Sequence, residues 1–306
     1  MPFADAYRRQ VALLIRVVPH FATEDCFALK GGTAINLFIR DMPRLSVDID
    51  LTYLPVEPRE RSLVAIDRAM KRIAGRLRTT IPGSQVTEGK MEDEVTRLFV
   101  RADGAQIKIE VTPVLRGCVY EPQLRSVTTA VEEAFGYAEM KVVSFADLYA
   151  GKIVAALDRQ HPRDLFDARD LLANEGIDMA LRRAFIVYLL SHDRPMSEVL
   201  APVRKDFSDE FLRGFEGMTE ETISRDDLAA AREALIADIV GAMPEEHRRF
   251  LIAFERGQPD WSLLGVPGAE DLPAVRWRQH NLDKLSAGKR AALVARLEEV
   301  LADGNR

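Results

Sequence analysis

The chain is expected to be an α+β protein, with a small mixed sheet flanked by helices in its first half and a helical region in its second. Three observations lead there. Strand and helix signals alternate over residues 27–143, an Asp-Gly dipeptide between alternating apolar runs marks a hairpin, and almost every segment beyond Phe145 has helical periodicity. With 306 residues, 47% of them apolar, there is core material for two domains, expected at 1–143 and 144–306.

Asp5 to Val18 spaces its apolar residues as an amphipathic helix does. Phe27 to Leu29 is a short apolar run that stops at Gly31-Gly32, so strand, tight turn and helix start follow one another. Thr33 is expected to cap that helix, with Ala34, Leu37 and Phe38 on its inner face. Two glycines allow the backbone close to a ligand, and a helix N-terminus offers N–H groups to a phosphate, although a plain connection uses the same residues.

Val47, Ile49 and Leu51 then alternate with Asp48, Asp50 and Thr52, giving a strand with one apolar face and two carboxylates on the other. Asp is disfavoured in strands, and like charges on one face repel unless a cation lies between them. Carboxylate oxygens completed by substrate phosphates are the usual setting for Mg²⁺. The alternative is a solvated strand face.

From Arg59 to Arg78, Leu63, Ile66, Met70, Ile73 and Leu77 form a core stripe, and Arg61, Arg68 and Arg72 lie away from it. Such a helix suits an RNA backbone or is a solvated face. Thr96 to Ala102 and Ala105 to Thr112, joined by Asp103-Gly104, read as a hairpin. In its second strand Ile107, Ile109 and Val111 share a face, leaving Lys108 and Glu110 on the other. Glu110 is either a third carboxylate, as metal ligand or general base, or the partner of Lys108, Arg97 or Arg101.

Ser144 to Asp147 has the spacing of a capping box and opens a helix through Lys152 to about Asp158. Lys152 and Arg159 share a face if it extends that far. His161 and Pro162 start another helix, with Pro162 in the first turn, His161 as a helix-start residue, and Arg163, Asp164 and Asp167 as neighbours on one face. As structure alone these are ion pairs contributing ~0.3–0.5 kcal/mol each. Further helices are expected near 178–191, 206–216, 219–242, 244–256 and 286–302, and the Pro- and Gly-rich stretch 257–273 as a surface loop.

Gly32-Thr33 followed by Asp48-Ile49-Asp50 resembles the signature of the polymerase-β-like nucleotidyltransferases. More narrowly, Lys30-Gly31-Gly32-Thr33-Ala34 and Arg44 to Leu51, followed in order by Lys152, Arg159, Arg163-Asp164 and Asp167, resemble the AbiEii/AbiGii-type abortive-infection toxins of bacterial toxin–antitoxin pairs. Thr33 stands where serine is commoner, and Glu110 where Asp is.

The resemblance implies a nucleotidyltransferase fold with a helical C-terminal domain completing the cleft. It implies an NTP substrate, pyrophosphate release, and Mg²⁺ (with Mn²⁺ as an alternative) on Asp48, Asp50 and Glu110. Nucleotide binding would fall to Gly32, Thr33, Arg44, Ser46, Lys152, Arg159 and Arg163. Lys152 would act as a mobile point charge on the triphosphate, with Asp164 ordering it. The resemblance further implies an RNA acceptor such as the tRNA 3′ end, growth arrest, and a cognate antitoxin that is often a DNA-binding repressor. Two other classes fit the residues: a same-fold enzyme modifying an aminoglycoside-like small molecule, and a non-catalytic nucleotide-sensing partner, against which the retention of both Asp48 and Asp50 speaks.

Bulk charge narrows the classes. The net charge is −6, with 20 basic and 20 acidic residues in 1–150 against 22 and 28 in 151–306, which argues against binding nucleic acid through broad charge alone. No apolar run approaches the ~20 residues needed to span a bilayer. Met1 to Asp5 has no basic segment leading into an apolar one, so the cytoplasm is the expected location. Cys26 and Cys118 form neither a disulfide framework nor a zinc-ligand pattern.

Overall fold

The computed structural model describes residues 5–303; Met1 to Ala4, part of the segment read above for a targeting signal, lie outside the described residues. The chain divides into two compact units, Met1–Ser144 with Glu216–Thr222, and Phe145–Phe215 with Ile223–Arg306.

In the first unit, α1 (Asp5–Ala22) leads to β1 (Phe27–Lys30) and α2 (Gly31–Ala34), which widens into a π-helical turn, Ile35–Ile39. There follow β2 (Asp48–Tyr53), α3 (Arg59–Thr80), β3 (Gln85–Met91), β4 (Glu94–Ala102), β5 (Ala105–Arg116), β6 (Gln123–Ser126), α4 (Thr129–Phe135) and β7 (Glu139–Val142). Among the described residues the strands form one mixed sheet in the order β3-β4-β5-β2-β1-β7-β6. β2 runs parallel to β5 and β1 parallel to β7; the other pairs are antiparallel.

Period-two alternation explains how this sheet is covered. Ile49, Leu51, Leu98, Val100 and Ile109 have 0% exposure. α1 and α3 pack on these strands, burying Leu14, Val17 and Phe21 from one helix and Ile66, Met70 and Ile73 from the other. Each such side chain contributes about 1.5–3 kcal/mol by leaving water. The opposite face of the central strands carries the charges. Asp103 (φ 50°) and Gly104 (φ 72°) close the β4–β5 hairpin with two left-handed residues, the geometry that matches strand twist.

Glu216–Thr222 joins this unit from far along the chain. Thr219 makes an isolated antiparallel bridge with Arg44, and the Leu45 N–H donates to the Met218 carbonyl at 2.9 Å. The helix expected over 219–242 therefore begins later, where Ser224 and Asp227 form a reciprocal capping box.

The second unit is helical: α5 (Phe145–Asp158), α6 (Pro162–Asn174), α7 (Met179–Leu190), α8 (Met196–Leu200), α9 (Ser208–Gly214), α10 (Arg225–Ile236, running on as the π turn Ala237–Gly241), α11 (Glu245–Glu255), α12 (Pro273–Asp283) and α13 (Ala287–Asp303). α5 is its core helix, with Tyr149, Ile153 and Leu157 wholly buried between α6 and α7. The stretch 257–273 is more than the surface loop expected from its glycines and prolines. Leu264 is wholly buried, and the Trp261 ring packs on Phe250 with centroids 5.1 Å apart. Among the described residues no helix is long and apolar enough to cross a membrane.

Candidate functional site

The glycines of the β1–α2 turn make room for the chain's own charged groups. Gly31 has φ +76°, and a Cβ there would lie 2.7 Å from Oδ2 of Asp50. A Cβ on Gly32 would lie 2.7 Å from Nη2 of Arg44 and 3.0 Å from Oγ of Ser46. Close approach was the expected reason for two glycines, and the groups that approach are Asp50, Arg44 and Ser46.

Thr33 does not cap the helix. α2 begins at Gly31 with Lys30 at the N-cap position and no side-chain cap. The Thr33 hydroxyl instead bonds the Ser46 hydroxyl at 3.0 Å and donates to the Asp48 carbonyl. The residue expected to bind phosphate thus pins the start of β2 to the glycine turn and fixes where Asp48 leaves the backbone. Arg44, only 2% exposed, donates from Nη1 to the Leu45 carbonyl at 3.1 Å, and Ser46 is 7% exposed. Both pack the turn from within.

Register then assembles a lattice of opposite charges. Residues directly opposite one another on neighbouring strands share a face, so Arg97 of β4, Glu110 of β5, Asp50 of β2 and Lys30 of β1 form one row across four strands. In the next row Asp48 stands beside Lys108. Three cations face three carboxylates, which offsets the repulsion that Asp48 and Asp50 would otherwise feel.

Glu110 is bonded at both carboxylate oxygens. Arg97 Nε donates to its Oε1 at 2.6 Å and Lys108 Nζ to its Oε2 at 3.0 Å. Burial works to raise its pKa, but the hydrogen bonds and charges of Lys108 and Arg97 outweigh that and hold it below the usual carboxylate range. Burial likewise lowers the Lys30 pKa, against the opposing fields of Asp50, Cys118 and Glu110. Asp50, by contrast, makes no hydrogen bond or ion pair among the described residues, although Lys30 neighbours it in register. Lys30, Arg97 and Lys108 were not picked out as site residues from the sequence. Alternation placed Lys108 beside Glu110 and the hairpin offered Arg97 as its cross-strand partner, but only the strand order brings Lys30 into the row.

Among the described residues no group of three or more His, Cys, Asp or Glu side chains is arranged to hold a metal. Asp48 and Asp50, half-buried on one face of β2, form the two-carboxylate set that Mg²⁺ accepts when waters and phosphates supply the remainder. Glu110 stands next to Asp50, with both oxygens already given to cations.

In the second unit, Lys152 Nζ lies 2.8 Å from Oδ1 of Asp164 and 3.0 Å from Oδ2 of Asp167. Arg159, just past the end of α5, reaches Asp164 at 2.5 Å through Nε and 3.0 Å through Nη2. Lys152 is 7% exposed and both aspartates 1%, so the ammonium expected to be a mobile point charge is fixed between two buried carboxylates. Burial pushes the Asp164 pKa up, but Lys152 and Arg159 outweigh it and hold that carboxyl far below its usual range. The i,i+4 neighbour of Arg163 is thereby taken: Asp167 pairs with Lys152, and Arg163 makes no ion pair among the described residues. His161 is the N-cap of α6, its Nδ1 accepting from the Arg163 N–H at 3.2 Å.

The basic helix α3 is largely neutralised. Arg72 and Arg76 both hold Glu24, at 2.6 and 2.7 Å, while Arg59, Lys71 and Arg78 pair with Glu92, Asp67 and Glu88. Of the three arginines set aside for RNA, Arg72 is committed to a carboxylate that is only 8% exposed, which leaves Arg61 and Arg68. α3 also packs on the apolar face of the sheet, away from the row of charges.

Comparison with known proteins bears on the fold and the family. The chain is similar in structure to MenT4, a nucleotidyltransferase toxin from Mycobacterium tuberculosis H37Rv, with a TM-score of 0.55 and 16% identity over 98% of this chain and 95% of that one, which speaks to the fold. No curated protein matches the sequence. The family model described as nucleotidyl transferase AbiEii toxin, type IV toxin–antitoxin system, matches residues 12–279. The chain therefore belongs to the AbiEii nucleotidyltransferase toxins of type IV toxin–antitoxin systems.

Proposed function

We propose that this nucleotidyltransferase moves a nucleotide from an NTP to an RNA acceptor, the tRNA 3′ end, and so stops translation and growth in the cytoplasm until a cognate antitoxin neutralises it. The observation that carries the catalytic part is the pair Asp48 and Asp50, held on one face of β2 by the Thr33 bond to Asp48 and by the space left at Gly31. The acceptor and the antitoxin rest on the family resemblance.

Asp48 and Asp50 would hold Mg²⁺, which when bound offsets the charge of the triphosphate. The turn at Gly31 and Gly32 sets the spacing between the helix start and these acids. The acceptor hydroxyl bonds the α-phosphorus, the bond to the bridging oxygen breaks, and pyrophosphate and a proton leave. Resemblance supports a part in nucleotide binding for Lys152, Arg159 and Arg163. The burial of Lys152 between Asp164 and Asp167 supports a role for the two aspartates in fixing its position.

Incubation with each α-labelled NTP, Mg²⁺ and total RNA tests the reading. Label is expected in RNA, concentrated in the tRNA fraction. Label in an added aminoglycoside and not in RNA would replace the acceptor, and no transfer at all would contradict the reading.

A further inference from the structure

We propose that Arg97 and Lys108 form a two-cation clamp for the β- and γ-phosphates of the NTP and for the pyrophosphate that leaves, and that Glu110 is the positioning residue that holds the clamp in place. The inference deepens the nucleotidyltransferase reading and rests on it.

Geometry carries it. Lys108 stands beside Asp48 and Arg97 stands beyond Glu110 in the row that contains Asp50, so both cations are on the face of the sheet that presents the two candidate metal carboxylates. Their side chains are 35% and 42% exposed, whereas Glu110 is 23% exposed. The cations are therefore available to a ligand and their anchor is less so. Both are fixed by charge-assisted bonds to one carboxylate, which leaves each with further N–H donors: two hydrogens on the Lys108 ammonium, and the two terminal nitrogens of the Arg97 guanidinium.

Charge balance points the same way. The row and its neighbour are neutral as folded, with Lys30, Arg97 and Lys108 against Asp48, Asp50 and Glu110. A divalent ion with a fully ionised triphosphate brings a net negative charge, so the ligand needs cations beyond the metal. Arg97 and Lys108 are half-exposed cations of this lattice with donors to spare. If Glu110 were drawn onto the metal as a third ligand, both would lose their anchor just when the phosphates arrive.

Binding of inorganic pyrophosphate and of Mn²⁺, each measured by calorimetry on the full chain, tests the proposal without relying on turnover. Arg97→Gln and Lys108→Met should each weaken pyrophosphate about tenfold, roughly one charge-assisted hydrogen bond. Lys108→Arg should restore most of it. Mn²⁺ affinity should hold or tighten in these variants, because a cation beside the carboxylates has gone. Glu110→Gln, which keeps an acceptor for only one of the two cations and leaves both positive charges in place, should weaken Mn²⁺ by less than tenfold and weaken pyrophosphate less than Lys108→Met does.

Thermal unfolding of each variant checks that the sheet is intact. Pyrophosphate binding at the wild-type level in both Arg97→Gln and Lys108→Met would overturn the clamp. A tenfold or greater loss of Mn²⁺ in Glu110→Gln would make Glu110 a metal ligand and overturn its positioning role. A wild-type protein that binds neither Mn²⁺ nor pyrophosphate would instead sink the nucleotidyltransferase site itself, which keeps the two failures apart.

Discussion

Asp50 and Glu110 stand directly opposite each other in the β2–β5 register, yet Glu110 is tied to Arg97 and Lys108 while Asp50 makes no hydrogen bond or ion pair among the described residues. Two neighbouring carboxylates thus have different surroundings. One is bonded by two cations of its own sheet, and the other has only the nearby charge of Lys30.

Gly31 is where that arrangement is most sensitive to a single methyl group. Gly31→Ala meets a left-handed φ of +76° and a carboxylate oxygen at 2.7 Å. It should lose about 1–2 kcal/mol from the backbone alone and move Asp50 as well. Urea unfolding and a Mn²⁺ titration check this, and a variant as stable and as metal-competent as wild type would be inconsistent with the close approach.

Thr33 should tolerate serine and not valine. Serine keeps the hydroxyl that joins Ser46 and the Asp48 carbonyl, whereas valine leaves both without it, at a cost of about 1–3 kcal/mol for the buried groups. Thr33→Val should also slow transfer through the displaced Asp48. The comparison is between unfolding free energies and single-turnover rates of the two variants.

Lys152→Met should destabilise the second unit by about 3–5 kcal/mol, because two buried aspartates lose their shared cation. Loss of activity in that variant is therefore no measure of contact with nucleotide unless its fold is checked by calorimetry.

Acid should reveal the same network. The folded-state pKa of Asp164 lies below its unfolded value of ~3.9, since Lys152 and Arg159 outweigh burial. A carboxylate depressed in this way stabilises the fold above the unfolded pKa, and the contribution is lost as pH falls below it. Asp164→Asn should melt below wild type at pH 7, with the gap narrowing once the pH drops under about 4. A gap of constant size down to pH 3 would contradict the ion pairing.

The sequence made the local elements legible because their signals are local. Alternation placed Asp48 and Asp50 on one strand face, Asp103-Gly104 marked the hairpin, and the core stripe of α3 held residue for residue. What it left open depends on contacts distant in the chain. Thr33 lost its capping role because Ser46 and Asp48 come to lie beside it. Arg72 left the RNA-facing set because Glu24, 48 residues away, needed a partner. Lys30 joined the site only through strand order, and Thr219 joined the first unit through a bridge that no periodicity announces.

The central claim is that Asp48 and Asp50 support nucleotide transfer, and the most direct measurement is single-turnover transfer from an α-labelled NTP to RNA by wild type, Asp48→Asn and Asp50→Asn, with thermal unfolding alongside. Transfer should fall about a hundredfold or more in each variant, on the scale of losing preorganised charge stabilisation. The unfolding midpoint should stay close to wild type, because neighbouring cations already offset the repulsion between these half-buried carboxylates. Wild-type transfer in either variant would contradict the account.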